Sequence, residues 1–194
     1  MISLGCAKNL VDAEVMMGSL LKEGFEITNE NADADALIIN TCSFIDAAQE
    51  ESVDTILESA EFREHANSVQ ALIVSGCLSQ RYRKELPRLM PEVDAFMGID
   101  QVEQVGDIVR QAVGNRGSRL GQATEKPNGN ETETTAEPPG EPLIDIHSRP
   151  DYIPAFETPR LRLTPDHFAY VKIAEGCNHP CSFCIIPRMR GSHR

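Results

Sequence analysis

The stretch Cys177-Asn-His-Pro-Cys181-Ser-Phe-Cys184 holds three of the six cysteines of this 194-residue chain. Short loops of this kind can turn their thiolates toward one metal centre. Structural zinc is bound by four ligands that usually come as two separated pairs, and ferredoxin-type clusters use C-x2-C-x2-C with a fourth cysteine. Three cysteines without a local fourth suit a 4Fe–4S cluster that keeps one iron open to a non-protein ligand. A zinc knuckle or an incidental cysteine-rich loop is the alternative.

The other three cysteines are Cys6, Cys42 and Cys77, which are separated by 36 and 35 residues. Each follows the carboxyl end of an apolar run of strand length. Because these ends share one edge of an open parallel sheet, where ligands collect, we expect the fold to bring the three thiols together. The alternative is three small buried side chains that act only as hydrophobic residues. Their common position favours a second metal site.

The elements that must position these cysteines alternate between strand and helix. Two runs nearly copy one another, Ala36-Leu-Ile-Ile-Asn-Thr-Cys42 and Ala71-Leu-Ile-Val-Ser-Gly-Cys77, as is typical of parallel strands covered on both faces. Right-handed crossovers would then build a three-layer α/β domain with a parallel sheet over residues 1–115. Asn9 is predicted to cap the first helix, which Gly24 ends. The predicted strands are 1–4, 25–28, 36–42, 71–77 and 93–97, and the predicted helices are 9–24, 44–65, 79–89 and 101–113.

Residues 116–158 differ from the rest in composition. They are rich in Gly, Pro, Thr, Glu and Asn, and residues 124–140 contain almost no large apolar side chains. Such a segment cannot bury enough surface to offset its ordering entropy, which predicts a flexible linker. Beyond it, residues 159–164 alternate like a strand or hairpin arm, and the apolar run 168–174 predicts a buried strand that enters the Cys177 loop. We therefore expect a second domain to begin at residue 159.

The charge and the apolar content narrow the function classes. The formal net charge is −12, and residues 1–118 carry 20 acidic against 9 basic side chains. This balance disfavours a nucleic-acid platform and fits a basic protein partner better. No apolar run has the length of a membrane span and the amino terminus lacks the basic region of a signal peptide, which predicts a cytoplasmic protein without membrane association. Cytosolic thiols are reduced, so metal binding explains the cysteines better than disulfides do.

The cysteine motifs resemble those of a known family. CxxxCxxC with Phe183 before the last cysteine resembles the radical S-adenosylmethionine (SAM) signature, and the stretch from Lys172 to Gly191 resembles its methylthiotransferase branch. Three further motifs look like those of the amino-terminal domain of that family: Ser3-Leu-Gly-Cys-Ala-Lys-Asn-Leu-Val-Asp12, Asn40-Thr-Cys42 and Ser75-Gly-Cys77. The first of these favours the branch that modifies an aspartate of ribosomal protein S-twelve over the branch that modifies a tRNA adenosine.

The resemblance implies two 4Fe–4S clusters. The cluster on Cys177, Cys181 and Cys184 would bind SAM and generate a 5′-deoxyadenosyl radical, with Phe183 near the adenine. An auxiliary cluster would hold the methylated sulfur that is added to the β-carbon of the substrate aspartate. One SAM would supply the methyl group and another the radical. The ligands implied for the auxiliary cluster are Cys6, Cys42 and Cys77.

The resemblance also implies partners and a larger protein. The partners are ribosomal protein S-twelve or the small ribosomal subunit, and a reductant such as flavodoxin or ferredoxin. A radical-SAM barrel is related to the (β/α)8 barrel, which takes roughly 250 residues, so residues 159–194 would contain only the start of an incomplete radical-SAM (β/α) barrel. We expect a fragment that is inactive alone, and nucleic acid would be met only by a missing carboxyl-terminal part.

Two interpretations from other classes are a flavodoxin-like binding module with an appended metal loop, and a zinc-stabilised interaction protein. The remaining polar side chains near the motif receive no metal or catalytic role from the sequence. His179 is interpreted as a solvated loop residue. The basic cluster of Arg188, Arg190 and Arg194 is interpreted as a solvated face. No role follows from the sequence for Lys172 and Glu175.

Overall fold

The computed structural model describes residues 1–65, 70–123 and 141–194. Within these ranges, one parallel sheet has five strands in the order β1-β2-β3-β4-β5. The strands are β1 (Ile2–Ser3), β2 (Ala36–Thr41), β3 (Ala71–Gly76), β4 (Ala95–Met97) and β5 (Leu143–Asp145). The helices are α1 (Ala7–Lys22), α2 (Asp46–His65), α3 (Cys77–Arg81), α4 (Leu86–Leu89), α5 (Val105–Ala123) and α6 (Ile186–Met189), with a 3₁₀ turn at Asn31–Asp33.

The two near-identical apolar runs are neighbours at the centre of the sheet. Strands β2 and β3 pair residue by residue, from Ala36 opposite Ala71 to Thr41 opposite Gly76. Every residue of β3 is buried, as expected of a parallel strand covered on both faces. The match between the two sequences is therefore also a match in register.

Apolar side chains cover both faces of the sheet, which confirms the predicted three-layer α/β fold. Successive strand residues point to opposite faces, so Ile38 and Ile39 belong to different cores. Fully burying each large apolar side chain contributes roughly 1.5–3 kcal/mol. The core under α1 and α5 includes Val15, Met16, Leu20, Ile38, Ile73, Met97, Val105, Ile108 and Val109. The core under α2, α3 and α4 includes Leu37, Ile39, Ile56, Leu72, Val74, Leu78, Leu86 and Phe96.

Several predicted element boundaries are wrong. Helix α1 begins at Ala7, with Cys6 in the capping position, so Asn9 lies inside the helix and is fully buried. The predicted strand at 25–28 is irregular chain, because only Phe25 packs against the core and the following residues are exposed. The helix predicted over 79–89 is divided into α3 and α4, and its proline lies in the first turn of α4, where no amide hydrogen is needed.

Two ordered elements fall inside the span predicted as a flexible linker. Helix α5 continues to Ala123, and β5 extends the sheet next to β4. The β5 backbone satisfies hydrogen bonds at the sheet edge, where the Leu143 amide donates to the Asp94 carbonyl and the Gly98 amide donates to the Asp145 carbonyl. The linker prediction is therefore wrong for these elements. Its central part, residues 124–140, lies outside the described residues.

The strands predicted beyond the linker are also irregular. Residues 168–174 pair with no strand in the described ranges, and the side chains of Val171 and Ile173 are exposed rather than buried. A strand needs a neighbour for its backbone hydrogen bonds, and this segment has none among the described residues. Residues 159–164 run along α1 instead of forming a hairpin arm. There the Leu161 amide donates to the Glu14 carbonyl and the Leu163 amide donates to the Glu14 carboxylate, at 2.9 and 2.8 Å.

Helix α1 is covered on both sides as a result. Its apolar face packs on the sheet, and residues 159–163 lie over its outer face. A Cβ atom at Gly18 would come within 2.6 Å of the backbone at Pro159 and Arg160, so this close approach requires glycine. The buried carboxylate of Glu14 accepts a hydrogen bond from the Arg160 Nε atom at 2.7 Å. Buried polar residues on α1 thus meet partners from the carboxyl-terminal segment.

We predict that Asp94→Asn lowers the free energy of unfolding by about 2 kcal/mol, because hydrogen bonds to charged groups contribute about 1.5–3 kcal/mol. The buried Asp94 Oδ2 atom accepts from Arg63 at 2.6 Å and from the Leu72 amide at 2.8 Å. Urea unfolding measures the change. The matched control is Asp107→Asn, since Asp107 pairs with Arg110 on the surface and should change the stability by less than about 1 kcal/mol. Equal effects of the two variants would contradict the prediction.

Within the described ranges, no helix combines the length and the apolar character that crossing a membrane requires.

Candidate metal centre

The first three cysteines lie at the carboxyl edge of the sheet, as predicted. Cys42 follows β2 and Cys77 follows β3, directly after the paired residues Thr41 and Gly76. Cys6 follows β1 and caps helix α1. All three are free thiols; Cys6 is exposed, whereas Cys42 and Cys77 are buried. Their positions are therefore consistent with one shared site, and their role as ligands stays a prediction.

Asn9 connects the loops that carry these cysteines. Its amide group donates to the Leu4 carbonyl at 2.9 Å and to the Thr41 carbonyl at 2.8 Å. Its Oδ1 atom lies 3.8 Å from the Cys77 sulfur. One fully buried side chain thus bridges all three strand ends. The sequence predicts a helix cap at Asn9, because asparagine is common there, and no local pattern indicates a bridge over 32 residues.

Gly5 makes room for the Cys42 side chain. A Cβ atom at Gly5 would lie 2.5 Å from Cys42 Cβ and 2.8 Å from its sulfur, and the φ angle of Gly5 is +89°. Both the backbone conformation and the space therefore require glycine. The donor set of three free thiols fits a cluster bound by cysteines, and Gly5 leaves the space that Cys42 needs at the strand end.

We predict that Gly5→Ala destabilises the chain by about 1–3 kcal/mol more than Gly24→Ala, because only Gly5 adds overpacking to backbone strain. Gly24 is a matched control, since its φ angle is similar at +86° and a Cβ atom there would have no neighbour within 4 Å. Thermal unfolding of the two metal-free variants measures the difference. Equal melting temperatures would show that the Gly5 side of Cys42 is open, contrary to the close contact between these two residues.

Opposing effects act on the pKa of the Cys77 thiol. Burial raises its pKa to about 11, although the guanidinium group of Arg190 and its hydrogen bond to the sulfur act in the opposite direction. The Arg190 Nη2 atom lies 3.2 Å from this sulfur. Cysteine binds a metal as a thiolate, so metal binding at Cys77 would release the thiol proton.

The second cysteine set lies in a loop that residues 191–194 close. The Cys177 amide donates to the Gly191 carbonyl at 3.1 Å, and Glu175 and Arg194 exchange two backbone hydrogen bonds. Gly176 has a φ angle of +68°, and a side chain there would collide with the carbonyl oxygens of residues 191 and 192. Cys177 and Cys184 are half-buried, and Cys181 is exposed. The loop presents its thiols near the surface, and their metal binding stays a prediction.

The aromatic and imidazole groups of this loop are exposed. The side chain of Phe183 is 92% exposed, so its predicted contact with the adenine of SAM stays a prediction. His179 is exposed, as the sequence indicates for a loop residue. Its backbone amide lies 3.4 Å from the Cys177 sulfur.

A buried ion network joins the two cysteine sets. Asp12 of α1 pairs with Lys172 and Arg190, and Glu175 pairs with the same two cations at 2.6 and 2.8 Å. Although burial acts to raise the pKa of Glu175, these cations hold it at about 2. Lys8 adds a more exposed cation 3.6 Å from Glu175. The interpretation of Arg190 as a solvated residue is therefore wrong, since it is only 2% exposed.

A separate group of Asp100, His147 and Asp151 is the one set of three potential ligands within 4.8 Å of one another in the described part of the chain. Asp100 accepts from the Asp151 amide at 2.7 Å, and the Arg194 guanidinium lies 3.5 Å away. A cation next to Arg194 would be repelled. We interpret Asp100 as an anchor for Asp151 and Arg194, a role that no sequence pattern indicates.

Comparisons with known proteins identify the family of this chain. Residues 1–98 match the model of the uncharacterized protein family UPF0004. A ribosomal protein uS12 methylthiotransferase RimO from Opitutus terrae is 48% identical over the whole of this chain, which covers 38% of that relative. RimO proteins from Akkermansia muciniphila and Caldicellulosiruptor saccharolyticus are 46% and 40% identical, over 100% and 99% of this chain and 38% of each relative. The chain thus spans about two fifths of the length of these curated relatives.

Proposed function

We propose that this chain, which belongs to the UPF0004 family, is the amino-terminal part of a radical-SAM methylthiotransferase that modifies ribosomal protein S-twelve. The observation that carries the proposal is the placement of Cys6, Cys42 and Cys77 at one edge of the sheet, beside a loop with three further free thiols. The function named for the relatives supports the choice of substrate, whose modified group would be the β-carbon of an aspartate.

The division of labour follows the two cysteine sets. Residues 1–115, extended by the end of α5 and by β5, would hold an auxiliary 4Fe–4S cluster. Residues 159–194 would begin the radical-SAM domain, with a 4Fe–4S cluster on Cys177, Cys181 and Cys184. When bound, the clusters would supply radical generation from SAM and a sulfur donor. Residues 116–158 would connect the two parts.

The residues of this chain would orient those groups. Asn9 fixes the three strand ends, and Gly5 lets Cys42 turn into the site. The backbone contacts between residues 175–177 and 191–194 hold the Cys177 loop in place. The exposed Phe183 would be available to SAM, and its side chain would become covered when SAM is bound.

The partners follow from charge and chemistry. The acidic surface of residues 1–118 would attract a basic protein such as ribosomal protein S-twelve or a face of the small ribosomal subunit. Radical generation needs an electron, which a reductant such as flavodoxin or ferredoxin would deliver. Both partners belong to the cytoplasm, where we propose that the protein acts.

Anaerobic reconstitution of the 194-residue chain with iron and sulfide tests the proposal. We expect about eight irons per chain for two 4Fe–4S clusters. Metal analysis after gel filtration gives the count, and iron-specific spectroscopy identifies the cluster type. Stable binding of zinc without iron would contradict the proposal and favour the zinc-stabilised module. Binding of neither metal would favour a module without a metal function.

A further inference from the structure

Arg190 is buried where the two cysteine sets meet. It directly follows helix α6 and lies six residues after Cys184. Its side chain is 2% exposed and contacts Asp12 of α1, Glu175 and Cys77. No other arginine in the described ranges donates a hydrogen bond to a cysteine sulfur.

The guanidinium group contacts four different partners. Nη1 donates to Glu175 at 2.8 Å, and Nη2 donates to Asn9 at 3.1 Å. Both nitrogens lie 3.3–3.4 Å from Asp12 Oδ2. The Cys77 sulfur, 3.2 Å from Nη2, completes the set. The two carboxylates alone would satisfy an ion-pair role, so the contact with sulfur is additional.

Neighbouring contacts fix the approach of Arg190 to Cys77. Met189 is buried, and its sulfur accepts a hydrogen bond from the Ser43 hydroxyl at 3.3 Å. The same hydroxyl lies 3.1 Å from the Cys77 carbonyl oxygen, so its single hydrogen is shared between these two acceptors. Helix α6 is therefore held against the loop after β2 and the start of α3. Arg190 follows directly and has little freedom to point elsewhere.

We propose that Arg190 is a positioning residue for the auxiliary cluster: it fixes the Cys77 sulfur by a charged hydrogen bond and raises the reduction potential of the cluster bound there. This inference rests on the proposed function, because it assumes a cluster on Cys6, Cys42 and Cys77. It gives Arg190, which belongs to the segment with the second cysteine set, a role at the site of Cys6, Cys42 and Cys77.

The physical reason is electrostatic. Reduction adds negative charge to a cluster, and a nearby cation with a hydrogen bond to a ligand sulfur stabilises the reduced form. Groups around the ligands orient them and tune the metal site. Arginine keeps its charge when buried and presents several donors in a fixed plane, so one side chain can serve Asp12, Glu175 and Cys77 together. Lysine offers a single charged atom that cannot reach all three.

The same contact also couples the two segments. Because Arg190 belongs to the segment that closes the Cys177 loop, its docking on Cys77 links the position of that loop to the auxiliary site. The ion pairs of Lys172 with Asp12 and of Arg190 with Glu175 reinforce this link. Arg190 would thus hold the radical-generating and sulfur-donating parts in a fixed relation.

The test measures the midpoint potential of the auxiliary cluster in the 194-residue chain. Cys177, Cys181 and Cys184 are all replaced by Ala, which leaves one cluster to titrate with electron paramagnetic resonance as the readout. The variants Arg190→Lys and Arg190→Gln are compared with this parent. Arg188→Gln is the matched control, because Arg188 is exposed, lies two residues away and loses the same charge. Melting temperatures of the metal-free chains are recorded in parallel.

We expect a lower potential in both Arg190 variants, with the larger shift in Arg190→Gln, and no shift in Arg188→Gln. The melting temperature should fall in both Arg190 variants, since Asp12 and Glu175 lose their shared partner. A lower melting temperature with an unchanged potential would overturn the inference, because it would leave only a structural role. Equal shifts in Arg188→Gln and Arg190→Gln would also overturn it.

The failure of the proposed function is a distinct result. A parent chain that binds no iron would overturn both proposals. A loaded parent whose potential does not respond to replacement of Arg190 would overturn only the role of Arg190.

If Arg190→Gln does not fold, Arg190→Lys decides, because lysine retains the charge and lacks the planar guanidinium group. An Arg190→Lys potential equal to that of the parent would then contradict the hydrogen bond to Cys77.

Discussion

Replacing Cys42 by alanine is expected to reduce the bound iron from about eight to about four atoms per chain, because one 4Fe–4S cluster loses a ligand. Cys42 is buried at the end of β2, and its backbone is held by the Ser52 hydroxyl at 3.0 Å. Alanine preserves this backbone contact, so the fold around the site should persist. Iron and sulfide analysis after anaerobic reconstitution measures the loss.

The control for this prediction is Cys181→Ala in the other set. It should also leave about four irons, but those irons should belong to the auxiliary cluster. The double variant should bind almost none. Loss of all iron in Cys42→Ala alone would contradict two separate sites, and an unchanged count would remove Cys42 from the ligand set.

Replacing Asp12 by alanine is expected to lower the free energy of unfolding by about 3–5 kcal/mol, because it removes one of the two carboxylates that compensate two buried cations. Asp12 is buried on α1 and pairs with both Lys172 and Arg190. Glu175 would remain as the only buried carboxylate that the described part of the chain offers these two cations. Urea unfolding measures the loss, and limited proteolysis should show faster cleavage within residues 159–194, which these pairs hold against α1.

Asp166→Ala is the matched control for Asp12→Ala. Asp166 also pairs with an arginine, Arg162, but its side chain is fully exposed. Exposed pairs contribute about 0–1 kcal/mol, so the control should leave stability and proteolysis nearly unchanged. If Asp12→Ala were as mild as the control, the buried network would not be what joins the carboxyl-terminal segment to the sheet domain.

The part of the fold that the sequence predicts correctly depends on local patterns. The two runs ending at Cys42 and Cys77 are continuous and apolar, so they identify central parallel strands, and their equal length gives the register. The position of three cysteines just after strands follows from the same pattern. The sheet-edge placement was therefore predictable before any tertiary contact was known.

The network that surrounds the thiols was not predictable in this way. Asn9, Asp12 and Arg190 are polar residues in helical or loop segments, where exposure is the ordinary expectation. They are buried because the segment after residue 159 folds back over α1, a contact between residues more than 140 apart. Periodicity carries no information about such a partner. The one local sign that a further segment covers the outer face of α1 is the close spacing of polar residues in its otherwise apolar pattern.

The error at the edge of the sheet has a similar origin. Strand β5 is three residues long and follows a polar stretch, so composition alone indicates a linker. It is ordered because the exposed edge of β4 offers hydrogen bonds, including the Asp94 carbonyl for the Leu143 amide. Short edge strands depend on a template that only the folded sheet provides.

Under the proposed function, the two cysteine sets bind separate clusters. The most direct measurement is the iron content of two triple variants after anaerobic reconstitution: one with Cys6, Cys42 and Cys77 replaced by Ala, the other with Cys177, Cys181 and Cys184 replaced by Ala. We predict about four irons and four sulfides per chain in each variant. A variant that binds no iron while the other binds its full complement would contradict the claim.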